Sequence, residues 1–127
     1  MRTVAAVVGG IVAWVVAATL GNFALRALLP GYAGVEQAMT FTFDMQAGRL
    51  VVGAIASLAA GFVAGWIARE AGGRAAWLLA AILVLAFLPV HYGLWARFPL
   101  WYHLVFFASL LVATPAGAWL VPRGDAR

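Results

Sequence analysis

The segment HYGLWARFPLWYH, residues 91–103, lies between two long apolar runs and contains both histidines of the chain. His91 and His103 are equally distant from Arg97 along the sequence. If Arg97 marks the tip of a helical hairpin, the two imidazoles lie at the same depth on neighbouring helices. The segment also contains two of the three tyrosines and two of the six tryptophans. It is therefore the first place to look for a functional site.

The composition indicates a protein that is surrounded by lipid. Of the 127 residues, 66% are hydrophobic and 9% are charged, whereas a soluble domain has about 25% charged residues. The chain has no cysteine, which excludes disulfides, Cys-ligated zinc and iron–sulfur clusters. The formal charge of +4 comes from single arginines at the ends of apolar runs. This pattern is typical of membrane-interface anchors and excludes a nucleic-acid partner, which would need a basic patch.

Four apolar runs, at about residues 3–29, 45–68, 75–95 and 99–121, are each long enough to cross a bilayer, which takes about 20 residues. The first run is too long for the apolar core of a cleaved signal peptide. The connections are short except for the loop at residues 30–44. We therefore predict an all-α membrane protein, a single domain over residues 1–127. The expected arrangement is an up-down-up-down four-helix bundle in which helices adjacent in sequence are antiparallel neighbours.

Local signals place the ends of these helices. Pro30 and Gly31 end the first span, and Gly72 and Gly73 form the turn after the second. The alternating residues 40–43 suggest a strand, but a lone strand has no partner, so an irregular segment is expected. Asp44 is a candidate N-cap of the second span.

The distribution of arginines predicts the orientation. With the N-terminus inside, five arginines lie on the inner side and three on the outer side. The inner set is Arg2, Arg69, Arg74, Arg123 and Arg127, and the outer set is Arg26, Arg49 and Arg97. Because cytoplasmic loops carry the excess of positive charge, we predict a bacterial inner-membrane protein with both termini in the cytoplasm.

Small residues recur at a spacing of four in three of the spans, and residues four apart share a helix face. The series are Gly9, Ala13, Ala17 and Gly21 in the first span, Gly53, Ser57, Gly61 and Gly65 in the second, and Ser109, Ala113 and Gly117 in the fourth. Small residues allow helix backbones to approach closely in lipid. We therefore predict packing seams within the chain and a central position for the second span. A homo-oligomer using one of these seams stays open.

Polar side chains gather in the outer halves of the spans, and three interpretations of them stay open. In the first, the histidines and aromatic residues are interfacial anchors. In the second, His91 and His103 ligate haem iron or a metal, with Asp44 or Glu36 as a further metal ligand. In the third, an outward-facing pocket binds a quinone, a lipid or a similar amphiphile. The candidate ligand-binding residues are His91, His103, Arg97, Asn22, Tyr92 and Tyr102.

The hairpin pattern His91-Tyr92-x-Leu94-Trp95-x-x-Phe98-Pro99-x-Trp101-Tyr102-His103, with Gly21-Asn22 and residues 29–32 of the first span, resembles small four-span bacterial inner-membrane proteins without an assigned function. The resemblance implies an integral membrane protein and no particular activity.

No pattern of the sequence requires a cofactor or an enzymatic activity. No acid lies in the middle of a span, as a proton-coupled multidrug transporter would need, and no glycine-rich phosphate loop is present. We therefore expect a non-enzymatic component of the membrane that packs against itself or a larger membrane complex. An outer-side site for haem, a metal, a quinone or a lipid at the 91–103 hairpin is the alternative.

Overall fold

The computed structural model describes residues 1–69 and 73–122, which form five helices and no strand. The helices are α1 (Arg2–Leu28), α2 (Tyr32–Val35), α3 (Phe43–Ala68), α4 (Arg74–Gly93) and α5 (Leu100–Trp119). Four of them, α1, α3, α4 and α5, are long and apolar enough to cross a membrane. The predicted all-helical fold with four spans is confirmed. The predictions for Gly72, Arg123 and Arg127 lie outside the described residues.

All eight predicted span ends agree with the observed helices within two residues, because apolar run length is a strong signal. The N-cap of α3 was predicted at the wrong residue. Thr42, not Asp44, is the N-cap, and its hydroxyl accepts a hydrogen bond from the Met45 backbone N–H at 3.4 Å. Since α3 begins at Phe43, Asp44 lies in the first turn, where its charge still favours the helix N-terminus.

The contacts between the long helices show their directions. Gly21 faces Val52, and Gly9 faces Ile67, so α1 and α3 are antiparallel. Between α3 and α5, three contacts share one sequence offset of 53 positions, which makes these two helices parallel. The three contacts are Arg49–Tyr102, Gly53–Phe106 and Gly61–Thr114. The spans therefore alternate in direction along the chain.

The contacts between helices that are adjacent in sequence differ in extent. Helix α3 is central, as predicted, but its main neighbours are α1 and α5, and it meets α4 only along a minor contact. Helix α4 instead packs between α5 and α1. Sequential helices are therefore neighbours, as predicted, but α3 and α4 share only a small interface. The small-residue faces of α3 explain this, because they are turned toward α1 and α5.

The backbones of α3 and α5 approach each other very closely. A Cβ atom on Gly61 would overlap the backbone carbonyl of Thr114, and one on Gly117 would overlap that of Leu58. Ser57 and Gly65 are also buried on α3. At Gly61 and Gly117 the side chain must be absent, because the backbone of the other helix occupies the space.

The residues between the spans close one end of the bundle, which we call the capped end; it carries the connections 29–42 and 94–99. Gly31, in the left-handed conformation with φ of 80°, turns the chain from α1 into α2. Tyr32 is fully buried and stacks on Phe41, which in turn stacks on Phe98. These rings join the two connections to each other, so the capped end is a packed structure.

Candidate functional site

The two histidines meet at the capped end. His91 lies in the last turn of α4 and His103 in the first turn and a half of α5, and the short connection 94–99 turns the chain back between them. Their Nδ1 atoms are 2.6 Å apart, and the two residues are 6% and 2% exposed. This distance is that of a short hydrogen bond between the two rings.

The hydrogen bond requires different tautomers in the two rings, because one Nδ1 must donate and the other accept. Nε2 of His103 is buried and has no hydrogen-bond partner. A buried N–H without a partner is rarer than a buried acceptor without one. We therefore assign the Nδ1 proton to His103, which leaves a lone pair on its Nε2. His91 Nδ1 then accepts, and His91 carries its own proton on Nε2.

Aromatic rings surround the imidazole pair. Trp95 stacks on His103 with ring centroids 4.8 Å apart and an interplanar angle of 15°. Phe106 and Phe107 contact the His91 ring at centroid distances of 4.4 and 4.7 Å. In these surroundings the two imidazoles depend on each other as polar partners.

The geometry of the pair suits a hydrogen bond better than a shared metal ion. Two imidazoles on a tetrahedral zinc, with bonds of about 2.0–2.1 Å, would hold their nitrogens about 3.3 Å apart, which exceeds the observed 2.6 Å. Within residues 1–69 and 73–122, no group of three or more His, Cys, Asp or Glu side chains could hold a metal ion. Asp44, the predicted third ligand, is exposed and is not grouped with the histidines.

A second feature of the capped end is an arginine enclosed by aromatic side chains. Arg49 of α3 donates from Nη1 to the Tyr32 hydroxyl at 2.8 Å and from Nε to the Tyr102 hydroxyl at 3.2 Å. Its guanidinium lies 4.7 Å from the ring centroid of Phe41 and 5.9 Å from that of Phe98. We call these four rings the Arg49 cage. They hold a positive charge inside the capped end through hydrogen bonds and cation–π contacts.

Between the imidazole pair and Arg49 lies a partly open cavity of about 110 Å³, lined by residues of α1, α3, α4 and α5. Its polar lining consists of Asn22, Arg49, His91 and Tyr102. The cavity therefore collects the polar groups that the four spans carry near this end of the bundle.

The cavity has an aromatic floor. Trp14, Phe87 and Phe106 line it, with Phe87 in ring contact with Trp14 at 4.8 Å and with Phe106 at 5.0 Å. The Trp14 indole N–H donates to the Ser57 hydroxyl at 3.1 Å, so the ring is held by α3.

The structure separates the predicted ligand-binding residues into two groups. His91, Tyr102 and Asn22 line the cavity, and His103 lies behind His91 as its hydrogen-bond partner. Arg97 and Tyr92 do not line it. Arg97 donates to the backbone carbonyl of Ala38 at 3.1 Å and so joins the two connections, while Tyr92 is 86% exposed.

Arg49 belongs to the polar residues that the sequence places in the outer halves of the spans, but it was not among the predicted ligand-binding residues. The position of Arg49 could have indicated its role, since it lies more than one helical turn inside a span that otherwise lacks basic residues. An ionisable residue at such a depth is by default a candidate for a functional site. Tyr32 and Phe41 had no comparable signal, because a loop sequence does not predict where its rings pack.

Comparison with known proteins found no relative of this chain. The chain matches no family model, no curated protein and no solved structure.

Proposed function

We propose that this protein is a membrane-resident binding protein whose cavity at the capped end receives the polar head of an amphiphile from the surrounding leaflet. The observation that supports this most is the cavity itself, where Asn22, Arg49, His91 and Tyr102 converge from four helices. Ligand sites typically combine apolar and aromatic walls with a few polar groups that fix the orientation of the ligand. The aromatic floor and the polar lining have this composition.

The size of the cavity determines which part of a ligand can enter. Pockets for whole drug-sized molecules have volumes of about 300–1,000 Å³, and this cavity has about 110 Å³. A polar head with a few attached carbons fits this volume, whereas a haem or a complete quinone ring with its tail does not. The apolar remainder of the ligand would stay in the bilayer, beside helices whose outer faces are themselves apolar.

We infer where the protein is located in the cell from the distribution of its arginines and from its resemblance to small four-span bacterial membrane proteins. The arginine count of the sequence, five on the predicted inner side against three on the outer side, supports a bacterial inner-membrane protein with both termini in the cytoplasm. The cavity would then open in the outer leaflet. The resemblance to small four-span bacterial membrane proteins supports the same location and is part of this proposal.

The interaction role expected from the sequence has less support. The small residues that could have formed a seam with another chain, such as Gly61 and Gly117, face backbone atoms of this chain instead. A homo-oligomer or a larger complex would have to use other surfaces, and it stays a prediction.

A variant pair on α1 tests the binding proposal. Ala18 lines the cavity, whereas Ala24 is exposed on the outer face of the same helix. We expect solvent extracts of the purified protein to contain about one amphiphile per chain, with the Ala18→Phe variant losing it because the ring fills the cavity. The Ala24→Phe variant should retain it. Equal recovery from both variants, or no bound amphiphile in the unmodified protein, would contradict the proposal.

A further inference from the structure

We propose that the head recognised in this cavity is anionic, a carboxylate or phosphate group of a single-chain amphiphile, and that Arg49 is the residue that selects it. This inference rests on the proposed function and specifies its ligand class. It is supported by the charge balance of Arg49, by the orientation of hydrogen-bond donors around the cavity and by the cavity volume.

The positive charge of Arg49 has no negative partner in the described part of the chain. Its two hydrogen-bond acceptors, Tyr32 and Tyr102, are neutral phenols, and Phe41 and Phe98 contribute only ring faces. The nearby acidic side chain is already engaged, because both carboxylate oxygens of Glu36 accept hydrogen bonds from Arg26 at 2.7 Å. A charge withdrawn from water is stabilised by a counter-charge. A ligand is the remaining source of one.

The cavity also presents more hydrogen-bond donors than acceptors. A guanidinium has five N–H groups, and the two phenols use two of those of Arg49. His91 uses its Nδ1 in the hydrogen bond to His103. In the assigned tautomer its proton is on Nε2, so this nitrogen can donate a hydrogen bond to a ligand. The amide of Asn22 can donate as well. An oxyanion has the several lone pairs that such a set of donors requires.

Neutral and cationic heads fit this arrangement less well. The carbonyl of a quinone could accept a hydrogen bond from Arg49 or His91, but it would leave the positive charge without compensation. An ammonium head would be repelled by Arg49. We therefore expect affinity to fall in the order anion, neutral head, cation when the apolar chain is kept the same.

Binding of four probes to the protein in phosphatidylcholine nanodiscs tests this order. The probes are oleate, oleyl alcohol, oleylamine and inorganic phosphate, and native mass spectrometry measures occupancy. We expect oleate to bind about tenfold or more tightly than oleyl alcohol, since charge-assisted hydrogen bonds to Arg49 exceed neutral ones. Oleylamine and inorganic phosphate should not bind measurably. Lysophosphatidic acid in place of oleate distinguishes a phosphate head from a carboxylate.

Three arginine variants test whether Arg49 is the residue that selects the anionic head. Arg49→Gln should bring oleate and oleyl alcohol to similar affinity, whereas Arg97→Gln, at an exposed arginine of the same end, should keep the full preference. Arg49→Lys keeps the charge and should keep the preference with weaker binding, which covers the case in which Arg49→Gln fails to fold.

The outcomes separate this inference from the proposed function. Equal binding of oleate and oleyl alcohol by the unmodified protein would overturn the anionic head and leave amphiphile binding intact. Binding of inorganic phosphate as tight as that of oleate would overturn the role of the apolar chain. Failure to bind any probe would overturn both proposals.

Discussion

At the scale of single residues, the capped end is organised by polar side chains that have few possible partners. His91 and His103 hydrogen-bond to each other inside an aromatic shell, and Arg49 uses two phenols. Water does not replace a lost partner at such sites, so each removal leaves a buried polar group behind. These residues should therefore be sensitive to substitution in a way that reveals their pairing.

The histidine pair should show strong non-additivity. Replacing either His91 or His103 with phenylalanine leaves the other imidazole without a partner, which should cost about 1–3 kcal/mol in the free energy of unfolding. The double replacement removes both polar groups and should cost less than the sum of the two single changes. Unfolding in detergent by titration with sodium dodecyl sulfate measures all three values. Additive effects would contradict the direct bond between the rings.

The Arg49 cage should depend on the hydroxyl of Tyr32. Tyr32→Phe removes a hydrogen bond to a charged group and should lower the unfolding free energy by about 1.5–3 kcal/mol. Tyr92→Phe is the matched control, because Tyr92 is 86% exposed and should change stability by less than about 0.5 kcal/mol. Equal effects of the two changes in the same detergent assay would show that the cage does not hold Arg49.

At the scale of helices, hydropathy predicted where each span begins and ends but not which spans face each other. The apolar runs gave the helix bounds because length in lipid is a direct physical constraint. The parallel contact of α3 with α5 depends on which face of each helix carries glycine. The spacing of Gly53, Gly61 and Gly65 indicated a packing face without indicating its partner. The imidazole pair followed from its symmetric spacing around Arg97, whereas the role of Arg49 depends on where the loop rings pack.

Two glycine-to-alanine variants test the close contact between α3 and α5, one inside the interface and one outside it as a control. Gly61→Ala places a methyl group against the Thr114 carbonyl, and separating the backbones should cost about 1–3 kcal/mol. Gly93→Ala introduces the same methyl group where no atom lies within 4 Å and should change stability by less than about 0.5 kcal/mol. A Gly61→Ala variant as stable as the unmodified protein would contradict the close contact.

The loop at the capped end should respond to acid. The hydrogen bonds from Arg26 lower the pKa of the Glu36 carboxyl from its ordinary value of 4.5. The ion pair therefore stabilises the fold fully above pH 4.5, and this contribution is lost as the pH falls through the lowered pKa. A nitroxide on a cysteine at Gln37 should become more mobile in that range. The Glu36→Gln variant should be mobile already at pH 7; a mobility that changes with pH in the variant as well would exclude Glu36 as the cause.

At the scale of the whole molecule, four spans alternate in direction and bring one set of polar groups to one end of the bundle. The antiparallel pairs α1–α3 and α4–α5 and the parallel pair α3–α5 all place the connections 29–42 and 94–99 at the same end. The cavity, the imidazole pair and Arg49 all lie near that end. If the spans did not cross the bilayer in this order, these groups would not share an environment.

Single cysteines test this arrangement most directly, because the chain has none of its own. Cysteines would be placed at the exposed positions Gln37 and Ala96 of the capped end, and at Arg74 and Pro122 of the other end. Cells producing each variant would be treated with a membrane-impermeant maleimide before and after permeabilisation. We predict labelling at positions 37 and 96 without permeabilisation, and at positions 74 and 122 only after it. Labelling of Gln37 and Ala96 from opposite sides of the membrane would contradict the four-span bundle.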